Sequence, residues 1–101
     1  MKDENIRNPI AWRTLSMGGD SVIVAIGQPE LLQPDDEFAC QYSISWRGKN
    51  ISHRVIGVDS VQAVQIVMMR IGTELVSLAK ENNLQITWLA DTPGEIGFPI
   101  G

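Results

Sequence analysis

With 101 residues, 44% hydrophobic and 20% charged, the chain has the size and composition of a single globular domain, 1–101, and falls outside the disordered, collagenous and fibrous classes. Twelve acidic against eight basic residues leave a net charge of -4, which counts against nucleic acid as a partner and leaves a basic protein surface as a fitting one. The lone cysteine, Cys40, excludes an internal disulfide framework, and Met1-Lys2-Asp3-Glu4-Asn5-Ile6-Arg7 lacks the apolar core of a signal peptide, so a cytoplasmic protein with no membrane partner is expected.

Two strands are expected first, over residues 11–17 and 21–27, joined by Gly18-Gly19-Asp20, whose glycines supply the positive φ of a tight turn. Val22, Val24 and Ile26 share one face of the second strand and Ile23 and Ala25 the other, the mark of a central strand. Residues 28–37 carry two prolines and the acids Glu30, Asp35, Asp36 and Glu37, and read as a surface loop.

A third strand spans residues 38–46, where Phe38, Cys40, Tyr42, Ile44 and Trp46 alternate with smaller or more polar residues. Gly48-Lys49 then fits a type II′ hairpin turn, pairing Arg47 with Asn50, Trp46 with Ile51, Ile44 with His53 and Tyr42 with Val55. That register puts Ile51 and Val55 on the apolar face.

A helix is expected over 59–82, with Asp59 as N-cap and Gln62 three residues on, followed by Val61, Val64, Met68, Ile71, Leu75 and Leu78 at helical intervals. Gly72 interrupts it and costs about 1 kcal/mol against alanine, which a close helix–sheet contact would explain. A last strand, 84–90, carries Leu84, Ile86 and Trp88, and the Pro- and Gly-rich tail 91–101 is expected to pack on the domain through its apolar residues.

The elements compose an α+β domain in the order β-β-β-β-α-β: an antiparallel sheet of about five strands, covered on one face by one long helix. The last strand is placed antiparallel to the free edge of the first. The other face stays partly open, with Ile23, Ile56 and Val58 on or near it.

No catalytic set is expected. The register above separates Cys40 from His53 by four strand positions, roughly 13 Å at about 3.3 Å per residue, whereas a nucleophile and its base need hydrogen-bond contact. One His and one Cys do not complete a zinc site, and the consecutive acids lack the spacing of a calcium loop, so neither metal nor cofactor is expected. Arg47, Lys49 and Arg54 beside Trp46 have the makings of a small stacking platform for single strands, but read as a solvated hairpin in an acidic chain.

The run Gly57-Val58-Asp59-Ser60-Val61-Gln62-Ala63-Val64-Gln65, then Ile71-Gly72-Thr73-Glu74-Leu75 and the ending Ile96-Gly97-Phe98-Pro99, resembles a family of small bacterial proteins known only as a domain of unknown function. The resemblance brings no activity and no catalytic residue. Size, acidity and missing chemistry are similar to those of immunity proteins encoded beside bacterial polymorphic toxins. The expected function is therefore a non-enzymatic binder that neutralises a cognate toxin domain, a basic nuclease by choice, by occluding its active site. Glu30, Asp35, Asp36, Glu37, Asp91 and Glu95 are the candidate contacts. The alternative is a homodimeric structural or regulatory domain built through a sheet face or strand edge.

Overall fold

The computed structural model describes Ile6 and residues 8–99. The expected N-terminal stretch 1–5, Arg7 and the end of the tail, Ile100 and Gly101, lie outside the described residues. The chain has an α+β fold with elements β1 (Pro9–Met17), β2 (Asp20–Gly27), β3 (Glu30–Leu32), β4 (Glu37–Trp46), β5 (Lys49–Gly57), α1 (Ser60–Asn82) and β6 (Ile86–Thr87). All strand pairs are antiparallel. β5 runs along one edge of β4, β2 and β3 share its other edge, and β1 and then β6 follow beyond β2.

Alternation decides which side chains enter the core. Leu15 and Met17 of β1, Val22, Val24 and Ile26 of β2, and Cys40, Tyr42, Ile44 and Trp46 of β4 are buried under α1, against Ala63, Val67, Ile71, Leu75 and Leu78. Each large apolar side chain so placed contributes about 1.5–3 kcal/mol relative to exposure. The buried stripe is rotated at its start: Val61 is exposed and Val64 and Met68 are only partly covered, with Ala63 against the sheet in their place, whereas Val67, Ile71, Leu75 and Leu78 are buried. Over 18 residues α1 has a mean hydropathy of 1.2, enough by length and composition for a membrane span. Six of its residues, Ala63, Val67, Ile71, Gly72, Leu75 and Leu78, are buried.

Both hairpins turn on two residues with positive φ, Gly18 (62°) and Gly19 (83°) in one, Arg47 (48°) and Gly48 (78°) in the other. The second turn is therefore type I′ at Arg47-Gly48, not type II′ at Gly48-Lys49, since I′ geometry follows the twist of the strands. Trp46 then faces Lys49, Ile44 faces Ile51, Tyr42 faces His53 and Cys40 faces Val55. The slip is two residues, so every side chain keeps its face. A left-handed arginine is sustained by its contacts: Nε lies 2.5 Å from Asp20 Oδ2, Nη2 donates to Gly18 O at 2.9 Å, and the guanidinium stacks 4.5 Å from the Trp46 ring.

The expected loop 28–37 holds a strand. β3 pairs with the start of β4, Leu31 opposite Phe38 and Glu30 opposite Ala39, giving six strands where five were expected. The last strand is shorter than 84–90. Leu84 is drawn into the helix C-cap, where its N–H bonds Ala79 O at 3.0 Å behind left-handed Asn83. Trp88 turns away to bond Glu95 O at 2.9 Å. The two residues left, Ile86 and Thr87, pair antiparallel with β1.

The tail completes the layer over the sheet, burying Ile96 and Phe98. Arg13 of β1 holds it: its guanidinium lies 3.7 Å from the Trp88 ring centre and 4.6 Å from that of Phe98, and Nη1 donates to Gly97 O at 2.7 Å. Gly72 serves this tail and not the sheet, because a Cβ there would stand 2.2 Å from Pro99 O. On the opposite face of the sheet Ala25, Ala39 and Ser43 are buried and Ile56 is exposed; outside the strands Ile6 is buried and Val58, just beyond β5, is exposed.

Candidate functional site

Exposed apolar and acidic residues both occur in β3, the turn after it, the start of β4 and the start of α1. Leu31, Phe38 and Gly57 form a row across three strands, and Gly57 leads straight into Val58. Leu31, Val58 and Val61 are large apolar residues left at 48%, 68% and 64% exposure. Glu30, Asp35, Asp36 and Glu37, all exposed, lie in β3, the turn after it and the start of β4, and Asp59 is exposed at the helix N-cap; Glu30 and Glu37 fall on the Ala39 face of the sheet, opposite Leu31 and Phe38. No lysine or arginine occurs in 28–46 or in 55–69.

Local geometry makes this end rigid. Asp59 Oδ1 accepts from Gln62 N at 2.7 Å, and Gln62 Oε1 accepts from Val58 N at 2.7 Å, so the helix start and the residue before it are fixed reciprocally. Gly57 lets the strand touch the helix, since a Cβ there would meet Ala63 N at 2.6 Å.

Four of the six sequence-derived contact residues are brought together here. The other two, Asp91 and Glu95, are exposed in the turn after β6, with β2 and β1 lying between that edge and β3. The acids fall into two groups because the last strand joins the sheet at its far edge. Leu31 and Val58 are exposed, as expected of a surface-loop residue and of one on or near the open face, whereas Val61, expected in the buried helix stripe, is exposed as well.

A second cluster joins β4, β5 and α1. The fully buried Tyr42 donates its phenolic O–H to Glu74 Oε2, and His53 Nε2 stands 3.9 Å from the same oxygen. The Tyr42 and His53 rings are 5.8 Å apart. Burial foremost, then the Glu74 hydrogen bond and charge, push the phenol above its ordinary range, with Arg70 opposing. Glu and His are general acid–base types, but 3.9 Å exceeds hydrogen-bond reach, and Glu74 is occupied by the phenol. The cluster ties the helix to the sheet. A buried tyrosine requires a partner for its hydroxyl, and that was the signal available for Glu74.

The corrected register brings His53 to within two strand positions of Cys40, about 7 Å, closer than the expected 13 Å and still not in contact. The Cys40 S–H points instead to Gly27 O at 3.4 Å, and burial raises its thiol pKa, the reverse of what a nucleophile needs. Trp46 is no stacking platform: it is buried, its Nε1 donates to Met17 O at 3.1 Å, and Arg47 is spent on Asp20 and Gly18. Among the described residues no group of three His, Cys, Asp or Glu could hold a metal ion.

Neither the curated proteins nor the solved structures offer a match. A family model described as a domain of unknown function, DUF6968, matches residues 11–100, nearly the whole chain, and the protein belongs to that family.

Proposed function

We propose that the protein is an immunity-type binder that docks on a cognate bacterial toxin domain with a basic surface, in the cytoplasm, and covers its active site without transforming any substrate. The observation that carries this reading is the acidic end of the sheet. Three exposed apolar side chains, Leu31, Val58 and Val61, lie there in segments that also carry the exposed acids Glu30, Asp35, Asp36, Glu37 and Asp59, and no basic residue occurs in 28–46 or 55–69. An apolar centre with a charged rim is the usual anatomy of a protein interface. The rim steers a cationic partner and the centre supplies most of the affinity.

The test is coexpression with the C-terminal domain of a large secreted protein encoded next to this chain, scored by cell survival. Survival is expected only when the chain is present. Converting Asp35, Asp36 and Glu37 together to lysine is expected to slow association by about tenfold or more at low salt and to flatten its salt dependence. Val58→Asp with Val61→Asp is expected to speed dissociation. Full neutralisation by both variants, or killing that the unaltered chain does not relieve, would overturn the proposal.

A further inference from the structure

Among the described residues, no strand pairs with the outer edge of β5. Its ladder with β4 runs through nine consecutive pairs, Trp46–Lys49 to Phe38–Gly57, with no register shift, and β5 contains no proline. In a hairpin closed by two residues, the pair flanking the turn exchanges both backbone bonds and every second pair after it does the same. Lys49, Ile51, His53, Val55 and Gly57 therefore direct N–H and C=O to β4. Ser52, Arg54 and Ile56 direct theirs outward. Bulges and prolines, two of the devices that close such an edge, are missing from β5, which leaves its charged side chains to choose what pairs with it.

Charge selects the occupant. From Phe38 to Val58 the chain holds no acidic residue, and β5 itself carries Lys49, His53 and Arg54. Among the described residues, the polar groups facing His53 from other elements are the Tyr42 phenol and Glu74, and Glu74 is already engaged by Tyr42. A second copy laid antiparallel about His53 would set imidazole against imidazole and bring the two Arg54 side chains to diagonal positions on one face, which like charge disfavours. The geometry points to a different partner: an extended acidic segment of another protein, added as a seventh strand on β5, with apolar residues beside Ile51 and Val55 and a carboxylate opposite Arg54. This edge is opposite in charge to the acidic end of the sheet, and the inference does not rest on the immunity reading.

The probe is a capped nine-residue peptide alternating glutamate and valine, with a lysine–valine peptide as control, and the readout is amide hydrogen exchange by NMR on the full chain. Exchange at Ser52, Arg54 and Ile56 is expected to slow by about tenfold when free peptide stands at about nine times its Kd, following 1 + [L]/Kd. Ile51, His53 and Val55, already bonded to β4, should not change. Arg54→Glu is expected to weaken binding roughly fivefold, and Ser52→Pro, which removes only an outward N–H, to abolish it while circular dichroism stays native. Equal slowing by both peptides, uniform slowing along β5, or none would overturn the inference. So would protection of the same three amides that grows with protein concentration alone, which would assign the edge to a second copy.

Discussion

Replacing Gly72 by alanine sets two effects of opposite sign against each other. Alanine favours a helix interior over glycine by about 1 kcal/mol. The added Cβ, however, would stand 2.2 Å from Pro99 O and 3.5 Å from Phe98 Cβ. The nearest atom is a backbone carbonyl, anchored through Phe98 and through the Arg13 bond to Gly97 O, and cannot rotate aside as a side-chain tip would. Overpacking of this kind costs about 1–3 kcal/mol. The full chain is therefore expected to lose about 1 kcal/mol net, a fall in Tm of about 4–8 °C for a domain this size. Removing residues 96–101 removes the obstacle, so in that background Gly72→Ala should stabilise by about 1 kcal/mol. Urea unfolding of the four proteins, followed by far-UV circular dichroism, gives a coupling of about 2 kcal/mol between residue 72 and the tail. Phe98→Ala in place of the truncation keeps the cycle measurable if the shortened chain does not fold. Equal stabilisation by Gly72→Ala with and without the tail would refute the docking.

Because folding raises the Tyr42 phenol above its ordinary pKa, its stabilising contribution is complete below about pH 10 and is lost as pH rises beyond it. Urea midpoints measured from pH 8 upward should fall on the alkaline side, and less steeply in Tyr42→Phe. Glu74→Leu should cost about 1–3 kcal/mol, since it leaves the buried hydroxyl without an acceptor, and more than Tyr42→Phe, which leaves a partly exposed carboxylate that water can serve. Thiol labelling of Cys40 should be negligible in the native chain and should follow global unfolding with denaturant, because the side chain is fully buried and its pKa raised. Asp59→Ala should cost about 0.5–2 kcal/mol in thermal melts through loss of the bond to Gln62 N.

Most of the fold is legible in local pattern. The alternation of Phe38, Cys40, Tyr42, Ile44 and Trp46, the paired glycines at 18–19 and the Asp59–Gln62 cap each specify their element without help from distant residues. What escaped depends on tertiary contacts. The turn falls on Arg47 because Asp20, Gly18 and Trp46 hold its side chain, and those partners arrive only when the two hairpins lie side by side. β3 is three residues long in a Pro-flanked stretch, and forms because β4 extends beyond the end of β2 and leaves an edge to pair. Gly72 was correctly marked as a close-contact position, but its neighbour lies in the tail, about two dozen residues on, where no periodicity operates. At the acidic end of the sheet, Glu30 and residues 35–37 were identified by composition. Val58 was expected on or near the open face, but the exposure of Val61 was not legible, since which valine a helix leaves outside depends on its rotation against the sheet.

The residues that carry the family resemblance divide into those the fold requires and those it does not. Gly57 is required because the Ala63 backbone leaves no room for a Cβ, Asp59 and Gln62 because they close the helix start, and Gly72 with Gly97-Phe98-Pro99 because each seats the other. Val58 and Val61 do neither. They sit on both sides of the cap, more than half exposed, in a segment whose backbone is locked by the two Asp59–Gln62 bonds. Apolar side chains on a rigid exposed turn gain nothing for folding, but they lower the cost of association, because little conformational freedom remains to be lost when a partner covers them. Their place beside Asp59 and the acidic β3–β4 turn supports the reading of this end as the docking surface, with the motif's structural residues holding its two unexplained ones in position.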